Sequence, residues 1–384
     1  MSDGATALPD PDSAILAPPA PEEVDFTARG VFAAISPPAG PSELQQLLIG
    51  AAFESLTGHL PRTIGHEPIT AREFAEGLAG RNEAFRTRIL QTMILGVLVL
   101  RPIPEAVAER VEAFARAMSV DDGMLAVARR FAAGQLGLAA VDFDRNGYTA
   151  DWSQERTQAL HTSSGLAEAW QQTVNDPELA ARWAELEHLA PDTIGRRMWE
   201  FYRARGFSFP GQPGSAPPLL AQHDWVHVVA DYGTRVESEL EVFAFIARAN
   251  DDPRGFSLLA MVVSLFETGY LSTGAGLFES FPGQLSADGM AVRLADALRR
   301  GALSHGPTGE PDVDLLAVDW FELADQSVDA IRDRFGVVPK AEKAIVAGSV
   351  GPWSAGGISP FQDETGRNAA RSAGHPYDSY GASP

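Results

Sequence analysis

The sequence predicts an all-α protein, and three observations carry that expectation. Apolar residues recur at three- and four-residue spacing along most of the chain, prolines punctuate that pattern, and no run alternates apolar and polar residues as a half-buried strand would. No self-similarity at solenoid periods is present. The expected order is a disordered tail over 1–41, a helical domain over 42–140, a linker over 141–160, a second helical domain over 161–340 and a second disordered tail over 341–384.

Residues 1–41 are rich in Pro, Ala and acids (Pro9, Pro11, Pro18, Pro19, Pro21, Pro37, Pro38) without a period that builds a core face, hence the expected tail. Over 41–138 the period is helical: Leu44, Leu47, Leu48 and Ala51 share one face, and Ala106, Val107, Val111 and Phe114 another. Breaks at Pro61, Pro68, Pro102 and Pro104 separate roughly five helices. Thr70 with Glu73 three residues on makes a capping-box start, and Pro104 stands where a helical first turn tolerates proline. The run 93–100 is apolar on every side, as in a central buried helix.

The polar stretch 141–154, with Asp142, Asp144, Arg145, Asn146 and Gly147, interrupts this pattern and marks the expected boundary. Beyond it, Trp183, Leu186 and Ala190 line one helical face and Phe243, Ile246 and Ala247 another. From about Gly348 the chain alternates Gly, Ser, Pro and scattered polar residues, as in Ser354-Ala355-Gly356-Gly357, and a tail is expected there too.

At 384 residues the chain is long enough for two ordinary domains, and 45% hydrophobic with 21% charged residues is the profile of a globular protein. A formal charge of -21 opposes any sequence-independent hold on nucleic acid, which needs clustered Lys and Arg. The same sign opposes electrostatic recruitment to anionic lipid, so contact with the inner face of a cell membrane would be apolar and local. There is no cysteine, which removes disulfides, thiolate nucleophiles and Cys-based metal sites; a metal must be held by His and carboxylate. No signal-peptide pattern opens the chain, and the longest apolar stretches, 93–100 and 256–266, are too short to span a bilayer, so a cytoplasmic protein is expected.

The segment His223-Asp224-Trp225-Val226-His227, followed twelve residues later by Glu239, is the chemical focus. On a helix His227 lies about 40° and Asp224 about 100° round from His223, so all three fit one sector. Asp231-Tyr232-Gly233 is expected to stop that helix, and Thr234-Arg235-Val236-Glu237 to restart another through a capping box. The resulting hairpin lets Glu239 face the histidines and complete a His₂-carboxylate₂ set suited to Zn²⁺ or another divalent metal. Glu237 is expected in the cap and Glu241 on the far side.

Two metal chemistries can be compared with this spacing. A zincin needs Glu after the first His as general base, and Asp224 stands there, one methylene shorter. An HD-type phosphohydrolase also uses an adjacent His-Asp pair, but needs an upstream His and a downstream Asp from other helices; His161 and His188 are the candidates, and this is the alternative function.

His-Asp-x-x-His, eleven residues, then Glu is the signature of the coenzyme Q (ubiquinone) biosynthesis protein 4 family, and residues 165–340 resemble that family. Asp176-Pro177-Glu178, the run Ala190-Pro191-Asp192-Thr193-Ile194-Gly195, and Val318-Asp319-Trp320 followed by Val328, Ile331 and Phe335 are similar to its flanking segments. The resemblance implies a helical protein with zinc on His223, Asp224, His227 and Glu239. It further implies a role in ubiquinone synthesis linked to oxidative decarboxylation of the ring, homodimers that rest on membranes, and the biosynthetic enzymes as partners. The first helical domain, with its turn Ser119-Val120-Asp121-Asp122-Gly123, resembles a tellurite-resistance (TerB-like) domain.

The expected function is therefore zinc binding in the metabolism of a prenylated aromatic or quinone-like lipid, either as a metal-dependent decarboxylase or as a scaffold with a structural metal and a lipid groove. In a catalytic role the ion would act as Lewis acid, with Asp224 or Glu239 moving protons; zinc does not change redox state, so an oxidative step needs dioxygen, another metal or a partner. The apolar run 258–266 suits either a prenyl tunnel or a core helix. Arg196, Arg197 and Glu267 suit either a polar head group or solvated helix ends. The Gly-rich stretch 269–276 has no P-loop spacing and no Lys, and neither a nucleophile elbow nor a Rossmann fingerprint occurs.

Overall fold

The run 93–100 is apolar on every side, and the helix that carries most of it takes the position that such a surface requires. In the computed structural model, which describes residues 23–57, 61, 69–121, 123–135, 175–215, 218–250, 255–268, 283–310 and 313–384, this helix is buried from Arg88 to its end. It is α4 (Glu83–Leu98), opened by the Asn82 side chain accepting from the Phe85 amide at 2.8 Å. Around it pack α1 (Val24–Ile35), α2 (Glu43–Thr57), α5 (Glu105–Met118) and α6 (Met124–Ala132). The short α3 (Ala71–Gly77) begins with the expected Thr70/Glu73 capping box and inserts Phe74 between Phe26 and Phe114. Gln45 on α2 donates to the carbonyls of Ile35 and Gly96 at 2.9 Å each, satisfying two buried acceptors where three helices meet.

The second group comprises α7 (Pro177–Glu185), α8 (Ile194–Arg205), α9 (Pro218–Ala230), α10 (Val236–Ala249), α11 (Phe256–Phe266), α12 (Met290–Leu303), α13 (Val328–Arg334), α14 (Glu342–Val346) and α15 (Pro360–Ser372). Among the described residues there is no β-strand, only isolated bridges such as Thr193 with Ser327. Both groups feed one continuous apolar core, because α12 packs on α2 and α11 on α4. The buried Arg88 spans the joint: it donates to the carbonyls of Ala247 and Asn250, at 3.3 and 3.2 Å, and its guanidinium lies 4.2 Å over the Phe256 ring. The 258–266 run is core, with Leu259, Ala260, Met261, Val262 and Val263 all buried. No described helix is long and apolar enough to cross a membrane.

The sequence reading of 1–41 and 341–384 as tails is corrected where these segments are described. Helix α1 falls within the first and buries Ala28, Val31, Ala34 and Ile35. The second contains α14 and α15, and α15 packs against α8. Small residues hide this order from periodicity, because they pack through backbone contact. A Cβ on Gly30 would lie 2.1 Å from the Phe74 ring, and one on Gly366 would lie 2.2 Å from the Ala204 carbonyl oxygen. The 141–160 linker, His161, the 269–276 stretch and residues 1–22 lie outside the described residues.

Candidate metal centre

Helix α9 ends at Ala230, where Asp231 takes the left-handed φ of 62° and the Tyr232 amide donates to the His227 carbonyl at 3.0 Å. The chain then reverses into α10, which packs beside α9. Trp225 and Val226 face the core, with Trp225 set among Trp183, Trp320 and Phe321. The other sector of α9 presents His223, Asp224 and His227, whose ligand atoms all lie within 4.8 Å of one another. Glu239 on α10 faces them, its Oε2 3.4 Å from Nε2 of both His223 and His227. Asp224 Oδ1 lies 3.6 Å from His223 Nε2. All four side chains are buried, His227 completely.

The restart of α10 differs from the sequence expectation. Its N-cap is Arg235, with no side-chain cap, and Thr234 does not pair with Glu237. Thr234 Oγ1 instead donates to Gln362 Oε1 at 2.6 Å and accepts from Arg205 Nε at 2.8 Å. Tertiary partners carrying charge and good geometry displaced the local cap. Glu241 lies on the far side as expected, paired with Arg293 at 2.6 Å. Arg196 and Arg197 both pair with Glu200 at 3.0 Å. His188 is exposed on the 186–188 turn outside the cluster, so it does not supply the extra ligand of an HD-type site.

Both imidazoles are anchored through Nδ1. His223 Nδ1 bonds the Leu220 carbonyl, and His227 Nδ1 bonds the carbonyls of Gly233 at 2.8 Å and Tyr232 at 3.3 Å. A carbonyl only accepts, so Nδ1 carries a proton in each ring and Nε2 is the atom turned into the cluster, the arrangement that outer partners impose on metal-binding histidines. His227 Nε2 is buried with no hydrogen-bond partner. Tetrahedral zinc with bonds of 2.0–2.1 Å separates its ligand atoms by roughly 3.3 Å; Glu239 approaches each histidine at 3.4 Å and Asp224 approaches His223 at 3.6 Å, while His223, Asp224 and His227 form the mutually close group. The residues present therefore fit a divalent ion.

Burial alone would pull the His223 imidazole down, but the Asp224 carboxylate and then Glu239 outweigh it and hold it up at about 9. Burial would push Glu239 up, yet the His227 and His223 imidazoles beside it hold it down to about 2. Burial also raises Asp224. Its Oδ2 accepts the Tyr202 hydroxyl at 2.6 Å, and that phenol is held well above its ordinary range by burial and by the Asp224 charge. Tyr202 was not apparent from the sequence, because only the packing of α8 on α9 brings it to Asp224.

A cation must displace the His223 proton while Glu239 is already ionised. Affinity is thus expected to be flat above about pH 9 and to fall about ten-fold per unit below it, the signature of one proton exchanged. Co²⁺ titrations across that range check this, and a pH-independent affinity would refute it.

No family model matches this chain, and no curated protein matches it. Among solved structures it is similar to one described as a "Putative ubiquinone biosynthesis protein" from Nostoc punctiforme, at 20% identity over 66% of this chain and 97% of that one, with a TM-score of 0.29.

Proposed function

We propose that the protein holds one zinc ion through His223, His227, Glu239 and Asp224 and serves the metabolism of a prenylated aromatic or quinone-like lipid. The convergence of two anchored Nε2 atoms on Glu239 at 3.4 Å supports this most directly. Two imidazoles with carboxylates suit zinc; calcium and magnesium take all-oxygen sets. The pathway rests on the His-Asp-x-x-His and Glu spacing shared with the ubiquinone biosynthesis family.

A bound ion would supply Lewis-acid polarisation of a ring carboxylate or hydroxyl. Asp224, its carboxyl raised by burial and tied to Tyr202, and Glu239 are the groups placed to move a proton. Oxidative decarboxylation then takes its oxidant from dioxygen or a partner enzyme, with the chain working as a homodimer at a membrane surface. The burial of the cluster suits a second reading: with Glu239 joining His223, Asp224 and His227, four buried protein donors would leave no open position, the pattern of a structural metal in a lipid-binding scaffold.

Elemental mass spectrometry of dialysed wild-type protein, with lipid extraction from the same sample, tests this. Close to one zinc per chain and a co-purifying prenyl lipid are expected. Well-folded protein free of metal would reject the metal centre, and zinc without any prenyl lipid would reject the substrate class.

A further inference from the structure

We infer that residues 340–362, which contribute no ligand, form a seat that sets the direction of His227 and hence the affinity of the metal centre; this rests on taking the His/carboxylate cluster as a metal centre. His227 is aimed by two carbonyls, Tyr232 and Gly233, that belong to a single tight turn. That turn has little holding it from its own helices. Asp231 sits in the left-handed region, where a side chain is disfavoured, and α10 begins without a side-chain cap.

The hold comes from the C-terminal segment. Lys340 Nζ donates to the Asp231 carbonyl at 2.6 Å and pairs with its carboxylate at 3.0 Å, with the Lys340 side chain buried. The Gly233 amide donates to the Val350 carbonyl at 3.0 Å, and the Thr234 amide to the Gly357 carbonyl at 3.1 Å. Arg205, fully buried, donates to the carbonyls of Pro352 and Gly357 as well as to Thr234, so it fastens seat and turn together.

Backbone approach is the second, independent observation. A Cβ on Gly233 would lie 2.9 Å from Gly357 Cα, and one on Gly351 2.2 Å from Asp231 Oδ1. A Cβ on Gly357 would lie 2.2 Å from the Gly351 carbonyl oxygen. Gly233 thus lets the backbone of the turn touch that of Gly357, Gly351 leaves room for the Asp231 side chain, and Gly357 lets the seat fold closely on its own Gly351 carbonyl. Lys340 and Gly357 are positioning residues: they act on the ion only through the turn and His227.

The test titrates Co²⁺ into full-length wild type, Lys340→Met, Lys340→Arg and Gly357→Ala. Lys340→Met and Gly357→Ala are expected to weaken binding about ten-fold or more and to shift the visible ligand-field bands, with far-UV circular dichroism unchanged. Lys340→Arg is expected to recover most of the affinity. Wild-type affinity and bands in both Lys340→Met and Gly357→Ala would overturn the seat while leaving the metal centre standing; failure of wild type to bind Co²⁺ would remove the metal centre itself. Side-chain ¹⁵N NMR decides independently of metal: His227 protonated at Nδ1 in wild type is expected, and an Nε2–H tautomer there, or an unaltered signal in Lys340→Met, would overturn the proposal.

Discussion

Dialysed His227→Ala protein is expected to carry almost no zinc where the wild type carries close to one ion per chain. His227 has no solvent exposure, and its Nε2 has no hydrogen-bond partner in the protein, so a buried donor is reserved for something else. Replacing it removes one donor outright. The loss should exceed the roughly 10–100-fold that outer partners of a metal site cost. Glu239 would also lose the neighbouring imidazole that does most to hold its carboxyl down, which raises it and weakens a second donor. Elemental analysis of both proteins decides it; wild-type zinc in the variant would place the ion elsewhere.

Arg293→Met is expected to give the opposite pattern: a large loss of stability with metal retained. Glu241 follows Glu239 by two residues on α10, about 200° round the helix, and is completely buried. Its Oε2 takes Arg293 Nη2 at 2.6 Å, and its other oxygen has no hydrogen-bond partner. Removing the arginine leaves a carboxylate uncompensated in the core between α10 and α12, a change that costs about 3–5 kcal/mol. Chemical denaturation measures that cost, and zinc content of the folded protein measures the site. Unchanged stability would show the pair to be dispensable; loss of metal at full stability would put Arg293 in the metal centre.

How much was legible in the sequence follows from the range of the interactions. The helical class, the apolar end of α4 and the Thr70/Glu73 cap depend on residues three or four apart, and such spacing is visible in the chain itself. The same holds for His223, Asp224 and His227, whose shared sector is a property of one helix, and for Glu239, which needed only a turn in the right place. The Thr234 cap failed because Arg205 and Gln362, distant in sequence, offered it stronger partners than Glu237.

By itself, then, the sequence determined the helical class and the set of groups able to meet at one point, since both are written in local periodicity. Only the tertiary structure decided that 340–384 is an ordered part of the fold, that Tyr202 holds Asp224, and that Lys340 and Gly357 hold the turn behind His227. Those contacts run through backbone carbonyls and amides, which every residue carries alike, and through glycines whose contribution is the absence of a side chain. Neither leaves a pattern along the chain; both become specific only once distant segments touch.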